Sequence, residues 1–414
     1  ANKVVRANYS GDTGMHVAKW IWCYKKYHSK ERIKGDESWI ASIYVDASKR
    51  LSEKEDLQEE VNKINEKLEN RTDKKLNELW KKTRKLSIDS WKRIYNEINT
   101  KFDKYYFESE MEKRGKEISY ELLKKGIAKR SDGAVIMDFK EQNLGVWVLL
   151  RKDDTVLYSA KDLALAEEKS KRYHPDRNIL VHGSEQNLHF QQLFKTLELM
   201  GYEREKFTDV SFDLVRLPTG KMSSRTGENI LYSDFIKEIT DYAKEQIAKR
   251  ERKISKKELE ERALAISIAA IKYSMLKQDS RKVIVFDKKE SLNFEGDTGS
   301  YLLYSYARAC SIIRKAKRKT KKDFSHSEIS VQEFELLKKL SQFPDVVLDS
   351  YKALNSSMIA NYSYELAQKF NGFYHSCKVI GDKNENFRLS LVEALKYVLK
   401  NSLNLLGIET VERM

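Results

Sequence analysis

Asn178-Ile179-Leu180-Val181-His182-Gly183-Ser184 is the stretch on which the fold turns. It opens as a short apolar strand and ends in a glycine. The chain then passes into a helical pattern carrying Leu193, Phe194 and Leu197, which Gly201 stops. A short, uninterrupted apolar strand feeding a helix is the mark of a strand covered on both faces in a parallel sheet. Ligands of such sheets bind at the carboxyl ends of the strands, where Gly183 falls.

Working outward, Ala134-Val135-Ile136-Met137, Val146-Trp147-Val148-Leu149-Leu150 and Val156-Leu157-Tyr158 read as strands, with Asp153-Asp154 as a hairpin turn. A helix is expected from Asp162 onward. A further strand, Asp209 to Leu217, runs into Pro218-Thr219-Gly220 and so delivers Lys221 to a strand end. Strands alternating with helices predict an α/β fold. At the start of the chain, Val4-Val5-Arg6-Ala7 reads as a strand, Ser10 to Gly14 as a turn, and His16 as the opening of a helix. Residues 25–129 read as highly charged and helical. Leu51, Leu57, Val61, Ile64 and Leu68 form an apolar stripe on one long helix, continued by Leu76, Leu79 and Trp80 on a second helix after a turn. An inserted helical hairpin fits, and so does a partner-binding coiled coil. From 229 onward the pattern is helical apart from a short strand at Val283-Ile284-Val285-Phe286.

Composition agrees. The 414 residues hold three prolines, Pro175, Pro218 and Pro344, where average usage of about 5% gives roughly twenty. That excludes proline-rich linkers and stalks and favours long helices. Cys23, Cys310 and Cys377 are odd in number and far apart, so no disulfide framework or metal pattern is expected, and a cytoplasmic location is. No run approaches the ~18 apolar residues of a membrane span. A net charge of +15 points to a polyanionic partner, or to a proteome rich in lysine.

Two elements carry chemistry. Lys221-Met222-Ser223-Ser224-Arg225-Thr226-Gly227 is a basic, hydroxyl-rich loop after a strand, able to cradle a polyphosphate or to be an ordinary surface loop. Gly183-Ser184-Glu185-Gln186-Asn187-Leu188-His189 puts a glycine at a strand end and a carboxylate shortly after it. That suits a ribose, or simply a helix start capped by Ser184.

Taken together, a G-x-E-x-x-x-H element followed some thirty residues later by K-M-S-S-R resembles the class I aminoacyl-tRNA synthetases. Gly183 to Phe194 looks like the arginyl-tRNA synthetase form of that element. Ser131-Asp132-Gly133-Ala134, Leu157 to Asp162, Phe294 to Tyr304, and Leu406 to Met414 resemble the same family. The resemblance implies a partial class I Rossmann-like parallel sheet with a helical insertion, followed by an all-α anticodon-binding bundle. The expected division is 1–24 and 130–228 for the catalytic domain, 25–129 for the insertion, 229–294 for a connecting region and 295–414 for the bundle. It implies that Tyr158, Asp162 and Gln186 hold arginine, that Gly183, Glu185 and His189 meet the adenosine, and that Lys221, Met222, Ser223 and Ser224 steady the ATP phosphates, with Mg2+ accompanying ATP. It implies tRNA(Arg) as the polyanion. Tyr301, Tyr304 and Arg308, spaced three and four on one helix face, would meet unpaired bases, with Met414 closing the pocket. The basic run from Arg314 to Lys319 would contact phosphates. Tyr362, Leu366, Phe370 and Phe373 read as core.

Two departures accompany the resemblance. Ser224 stands where the loop often has a second lysine. The family's His-x-Gly-His element is absent, and Arg6 to Gly14 looks like the segment that follows the second strand. Three readings follow: a truncated enzyme, one half of a split enzyme completed by a separate amino-terminal fragment, or a non-catalytic tRNA-binding paralogue. The intact remaining site favours the first two.

Overall fold

The structure, a computed structural model, describes residues 3–54, 56–216, 218, 231–251, 254–316 and 328–414. The chain divides into two compact units, Ala1–Phe212 and Asp213–Met414.

The first unit opens with β1 (Ala7–Ser10) and α1 (Met15–Tyr27), followed by α2 (Glu37–Glu53), α3 (Leu57–Glu69) and α4 (Lys74–Glu97). Then come β2 (Lys104–Phe107), α5 (Glu108–Lys124), β3 (Lys129–Ser131), β4 (Ala134–Phe139) and β5 (Gly145–Leu150). It closes with α6 (Tyr158–Tyr173), β6 (Asn178–Gly183), α7 (Asn187–Leu199) and β7 (Phe207–Phe212). β1–β2 and β6–β7 are parallel pairs, with Ala7 opposite Lys104 and Gly183 opposite Phe212. β3, β4 and β5 form an antiparallel meander. One core gathers Met137, Leu149, Ala160, Leu163, Leu193 and Phe207 under these strands. A second core belongs to α1–α4 and includes Ile21, Trp22, Ile43, Val61, Leu76 and Trp80.

Four sequence expectations shift. The first strand starts at Ala7 rather than Val4. Arg6 is spent on Asp103, donating its backbone N–H at 2.8 Å and two guanidinium N–H bonds at 3.1 Å, and β2 offers ladder partners only from Lys104 on. The stripe from Leu51 to Leu68 lies on two helices. Leu51 lies in the last turn of α2, Lys54 is extended (φ −142°), and a new helix starts at Leu57. The steps of four and three keep one helical face, whereas the six-residue step from Leu51 to Leu57 does not. Residues 25–129 also include a strand, β2, whose partner is β1. Tyr158 is the first residue of α6 rather than a strand residue. Val156 makes a single bridge to Leu150, and the Leu157 carbonyl already accepts from the Ala160 and Lys161 amides.

The second unit contains β8 (Val215–Arg216), α8 (Tyr232–Arg250), α9 (Lys256–Leu276), β9 (Ile284–Val285) and the short α10 (Lys288–Ser291). A helical bundle follows: α11 (Gly299–Ala316), α12 (Val331–Ser341), α13 (Phe343–Ala353), α14 (Ser357–Ser376) and α15 (Glu385–Leu405). The strand expected over Asp209–Leu217 is therefore split, because β7 pairs with β6 while β8 pairs in parallel with β9. Pro344 enters α13 in its first turn, where a missing N–H costs nothing. Ser330 and Glu333 form a reciprocal capping box at the start of α12. Tyr273, Tyr306, Leu366, Phe370, Phe373 and Leu395 are central to one continuous core.

Candidate functional site

The carboxyl end of β6 is pinned by a buried histidine. His182 stacks on Phe190 at 3.9 Å, and its ring nitrogens lie 2.9 Å from the Gly183 carbonyl and 3.2 Å from the Asp209 carboxylate. Beyond Gly183 a single 3-10 turn, Ser184–Gln186, leads into α7. The Glu185 carboxylate folds over Gly183, so that a side chain there would collide with it. Glu185 and Gln186 are both exposed on that turn.

His189, one turn into α7, is buried and makes the central contact. The Trp147 indole N–H on β5 donates to its Nδ1 at 3.0 Å. An indole only donates, so Nδ1 is an acceptor and the ring hydrogen resides on Nε2. Nε2 donates in turn to Asp162 Oδ2 at 2.6 Å. Asp162 and Tyr158 are one helical turn apart on α6 and share a face. The Tyr158 ring, 55% exposed, lies 4.7 Å from the His189 ring. Tyr158, Asp162 and His189 thus form one group, with the tyrosine at its mouth and the carboxylate 15% exposed behind it. His189, expected beside the adenosine, lies against Asp162. No hydrogen bond joins Gln186 to Tyr158 or Asp162 among the described residues.

A second polar knot closes the ends of β1 and β2. The buried Asp12 carboxylate accepts from the Ser109 backbone N–H at 3.0 Å, the Ser109 hydroxyl at 2.7 Å and the Arg84 guanidinium at 2.5 Å. The Asp12 carbonyl accepts from the Trp80 indole at 2.6 Å. Glu108, first in α5, takes Lys161 at 3.2 Å. Both parallel pairs of the first unit therefore have charged groups beyond their carboxyl ends, where ligands of such sheets bind. Lys221, Met222, Ser223 and Ser224 lie outside the described residues.

In the second unit, Tyr301, Tyr304 and Arg308 share one face of α11. Arg308 donates to the Tyr304 hydroxyl at 3.0 Å, and its guanidinium carbon lies 4.7 Å from the ring centres of both Tyr304 and Tyr374. Asn371 on α14 ties the face together. Its carbonyl accepts from Arg308, and its amide donates to the Tyr301 hydroxyl at 2.5 Å and to Ser305 at 3.4 Å. Met414 packs half-buried against the core of this unit. Arg314 donates to the Glu412 carbonyl at 3.2 Å, and Lys317 to Lys319 lie outside the described residues.

Sequence reasoning missed Trp147, Asn371 and Tyr374. Trp147 reads as one more apolar strand residue. Asn371 is visible in retrospect, since it follows Leu366 and Phe370 on a helix otherwise read as core.

Cys23, His28 and Asp46, tying α1 to α2, could reach one ion together. Their contacts are hydrogen bonds: Cys23 and His28 approach Asp46 Oδ2 at 3.3 and 3.0 Å, and Arg50 does so at 2.9 Å.

A strand-end site in an α/β unit and a helical bundle with a basic aromatic face are two parts that class I aminoacyl-tRNA synthetases combine. Residues 1–287 match the family described as tRNA synthetases class I (R), catalytic domain, and residues 302–414 match the DALR anticodon binding domain. The arginine–tRNA ligase of Clostridium acetobutylicum is 37% identical over 99% of this chain and 73% of its own length. That of Bdellovibrio bacteriovorus is 34% identical over 100% of this chain and 73% of its own. The solved Thermus thermophilus arginyl-tRNA synthetase superposes with a TM-score of 0.85 at 25% identity, over 100% of this chain and 76% of that one. The chain belongs to the arginyl-tRNA synthetase family.

Proposed function

We propose that this chain joins arginine to tRNA(Arg) at the expense of ATP, working in the cytoplasm. A carboxylate oxygen of arginine attacks the α-phosphorus, the bond to the β-phosphate oxygen breaks, and pyrophosphate leaves. A hydroxyl of the terminal tRNA ribose then attacks the arginyl carbonyl carbon, and AMP leaves. The observation that carries this reading is Asp162, held through His189 by Trp147 beside the exposed Tyr158 ring. A guanidinium presents five N–H donors in a planar fork, and a fixed carboxylate is its natural acceptor. Gln186 on the neighbouring turn would take the amino-acid end. Gly183 lets the nucleotide approach the strand end, with Glu185 swinging aside towards the ribose. Lys221, Met222, Ser223 and Ser224 would hold the phosphates, and catalysis there is positioning plus charge stabilisation. Mg2+ would accompany the ATP and offset the charge of its phosphates. In the bundle, Tyr301, Tyr304 and Arg308 would stack and read unpaired anticodon bases, with Met414 beside them.

The test is aminoacylation by this chain, alone and with a separate amino-terminal fragment of the family supplied. The Asp162→Ala variant should lose about 100-fold in kcat/KM for arginine, as expected when a charged acceptor is removed, with the KM for ATP unchanged. Unaltered arginine kinetics would show the pocket assignment to be wrong. Absence of activity in both settings would leave tRNA binding without catalysis.

A further inference from the structure

Away from both sites, three different kinds of ligand atom meet at one point. Cys23 in the last part of α1, His28 just beyond that helix and Asp46 on α2 bring a sulfur, a ring nitrogen and a carboxylate oxygen within 4.8 Å of one another. Asp46 Oδ2 is the hub. It accepts from the Cys23 thiol at 3.3 Å, from His28 Nε2 at 3.0 Å and from Arg50 Nε at 2.9 Å. Three hydrogens on an oxygen with about two lone-pair sites are one too many.

The surroundings aim these atoms inward. His28 Nδ1 lies 2.6 Å from the Glu31 carboxylate, which itself accepts from the Trp39 indole at 2.8 Å. A carboxylate behind an imidazole fixes the ring's orientation, and metal-bound histidines are commonly backed in this way. Arg50 is held to one side, its guanidinium carbon 3.8 Å from the Tyr27 ring centre. Cys23 is fully buried, whereas the His28 and Asp46 side chains are 23% and 25% exposed, which leaves one side open to solvent. Ligand atoms about 2.0–2.3 Å from a tetrahedral zinc ion stand about 3.3–3.6 Å from one another. The two hub distances are close to that spacing, and the remaining edge, no longer than 4.8 Å, closes as an ion draws the side chains in.

We infer that Cys23, His28 and Asp46 form a site for a divalent transition ion, Zn2+ foremost, with a water from the open side as fourth ligand. A sulfur–nitrogen–oxygen set suits Zn2+ and Co2+ and is too soft for Mg2+ or Ca2+. Both nitrogens of His28 face carboxylates, which only accept, so in the metal-free chain both carry hydrogen. On binding, the S–H and Nε2–H bonds break, both protons go to solvent, and the freed sulfur and nitrogen lone pairs bond the ion. One divalent cation replaces two protons, so the charge beside Arg50 is unchanged. The hub oxygen then holds one metal and the Arg50 hydrogen. The ion braces the end of α1 against α2, and it does so whether or not the arginine pocket is assigned correctly.

The test uses the full, untagged chain, stripped with a chelator, kept reduced and titrated with Co2+. One equivalent should produce a thiolate-to-cobalt charge-transfer band and the visible absorption of tetrahedral cobalt, and Zn2+ should displace both. About two protons should be released per ion, because thiol and imidazolium must lose theirs. Zn2+ at about 100 times its Kd should raise the melting temperature by roughly 5–10 °C. Cys23→Ser should abolish the charge-transfer band; Cys310 and Cys377 belong to no such group among the described residues. Glu31→Gln, an exposed change that leaves all three ligands in place, should weaken Zn2+ binding about 10-fold. A parent chain without the charge-transfer band, or a band that survives in Cys23→Ser, would overturn the inference and leave a hydrogen-bonded knot. If Cys23→Ser does not fold, the parent spectrum and Glu31→Gln decide: a band together with unchanged Zn2+ affinity in Glu31→Gln would also overturn it.

Discussion

The strand-end cluster of the first unit and the aromatic face of the second are assembled differently. The cluster draws Tyr158 and Asp162 from α6, His189 from α7 and Trp147 from β5, and orders them through one imidazole. The face takes its three expected residues from one helix and locks them with one amide from a neighbour, Asn371. A small ligand must be enclosed, so a site for one needs groups converging from several elements. A nucleic-acid loop is met on a surface, so a helical stripe suffices and its polar atoms can already be paired.

Breaking the backbone behind each site gives the largest expected effect. Gly299, first in α11 and two residues before Tyr301, lies so close to the Ala269 carbonyl of α9 that any side chain would strike it. Gly115 of α5 similarly meets the Ala160 carbonyl of α6, with a Cβ placed only 2.7 Å away. A backbone carbonyl cannot step aside as a side chain can. Gly299→Ala and Gly115→Ala should each cost about 3 kcal/mol, lowering the calorimetric melting temperature by roughly 6–12 °C. An unchanged melting temperature in either would mean that the helices are not packed this closely.

Asn371→Ala sharpens the contrast. It should raise the KM for tRNA about 10-fold, as for the loss of hydrogen bonds that orient Arg308 and Tyr301, while leaving kcat and arginine binding near parental values. Asn371→Asp keeps the acceptor for Arg308 and should recover part of the loss. Equal damage to arginine kinetics would erase the distinction between the two regions.

The smallest effect lies in α1–α4. His28 is raised above the ordinary histidine value by its hydrogen bonds to Asp46, first, and Glu31. A raised histidine stabilises fully below its unfolded value of about 6.5 and loses that contribution as pH climbs through the higher folded value. The thermal destabilisation caused by His28→Ala should therefore be greater at about pH 6 than at about pH 8. An equal difference at both would remove the histidine from the balance.

The apolar run through Val181 announced β6, and Gly183 announced its end, but the cover expected on both faces is not there: Ile179 and Val181 are 41% and 69% exposed. The helix after it was legible from the spacing of Leu193, Phe194 and Leu197, all buried. The start of α6 was read four residues late, at Asp162 instead of Tyr158, since the Leu150–Val156 bridge and the start of α6 compete for the same short segment and only tertiary packing decides between them. The break between Leu51 and Leu57 was written in the six-residue step. The contacts of His189 were not legible, because its acceptor, Asp162, is 27 residues away and its donor, Trp147, 42 residues away. Spacing along the chain carries no information at such separations. On α11, where neighbours in space are three and four residues apart, Tyr301, Tyr304 and Arg308 could be grouped on sight, and only Asn371, on another helix, escaped.

The approach of Gly115 to the Ala160 carbonyl has a consequence for motion. With no side chain between them, α5 and α6 have no soft layer in which to slide, so a displacement of one must carry the other. Asp162 lies two residues beyond the contact on α6, and Glu108 opens α5. Any shift of α6 would thus reach the start of α5, at the end of β2, as a rigid-body movement that carries Asp162 and Glu108 together.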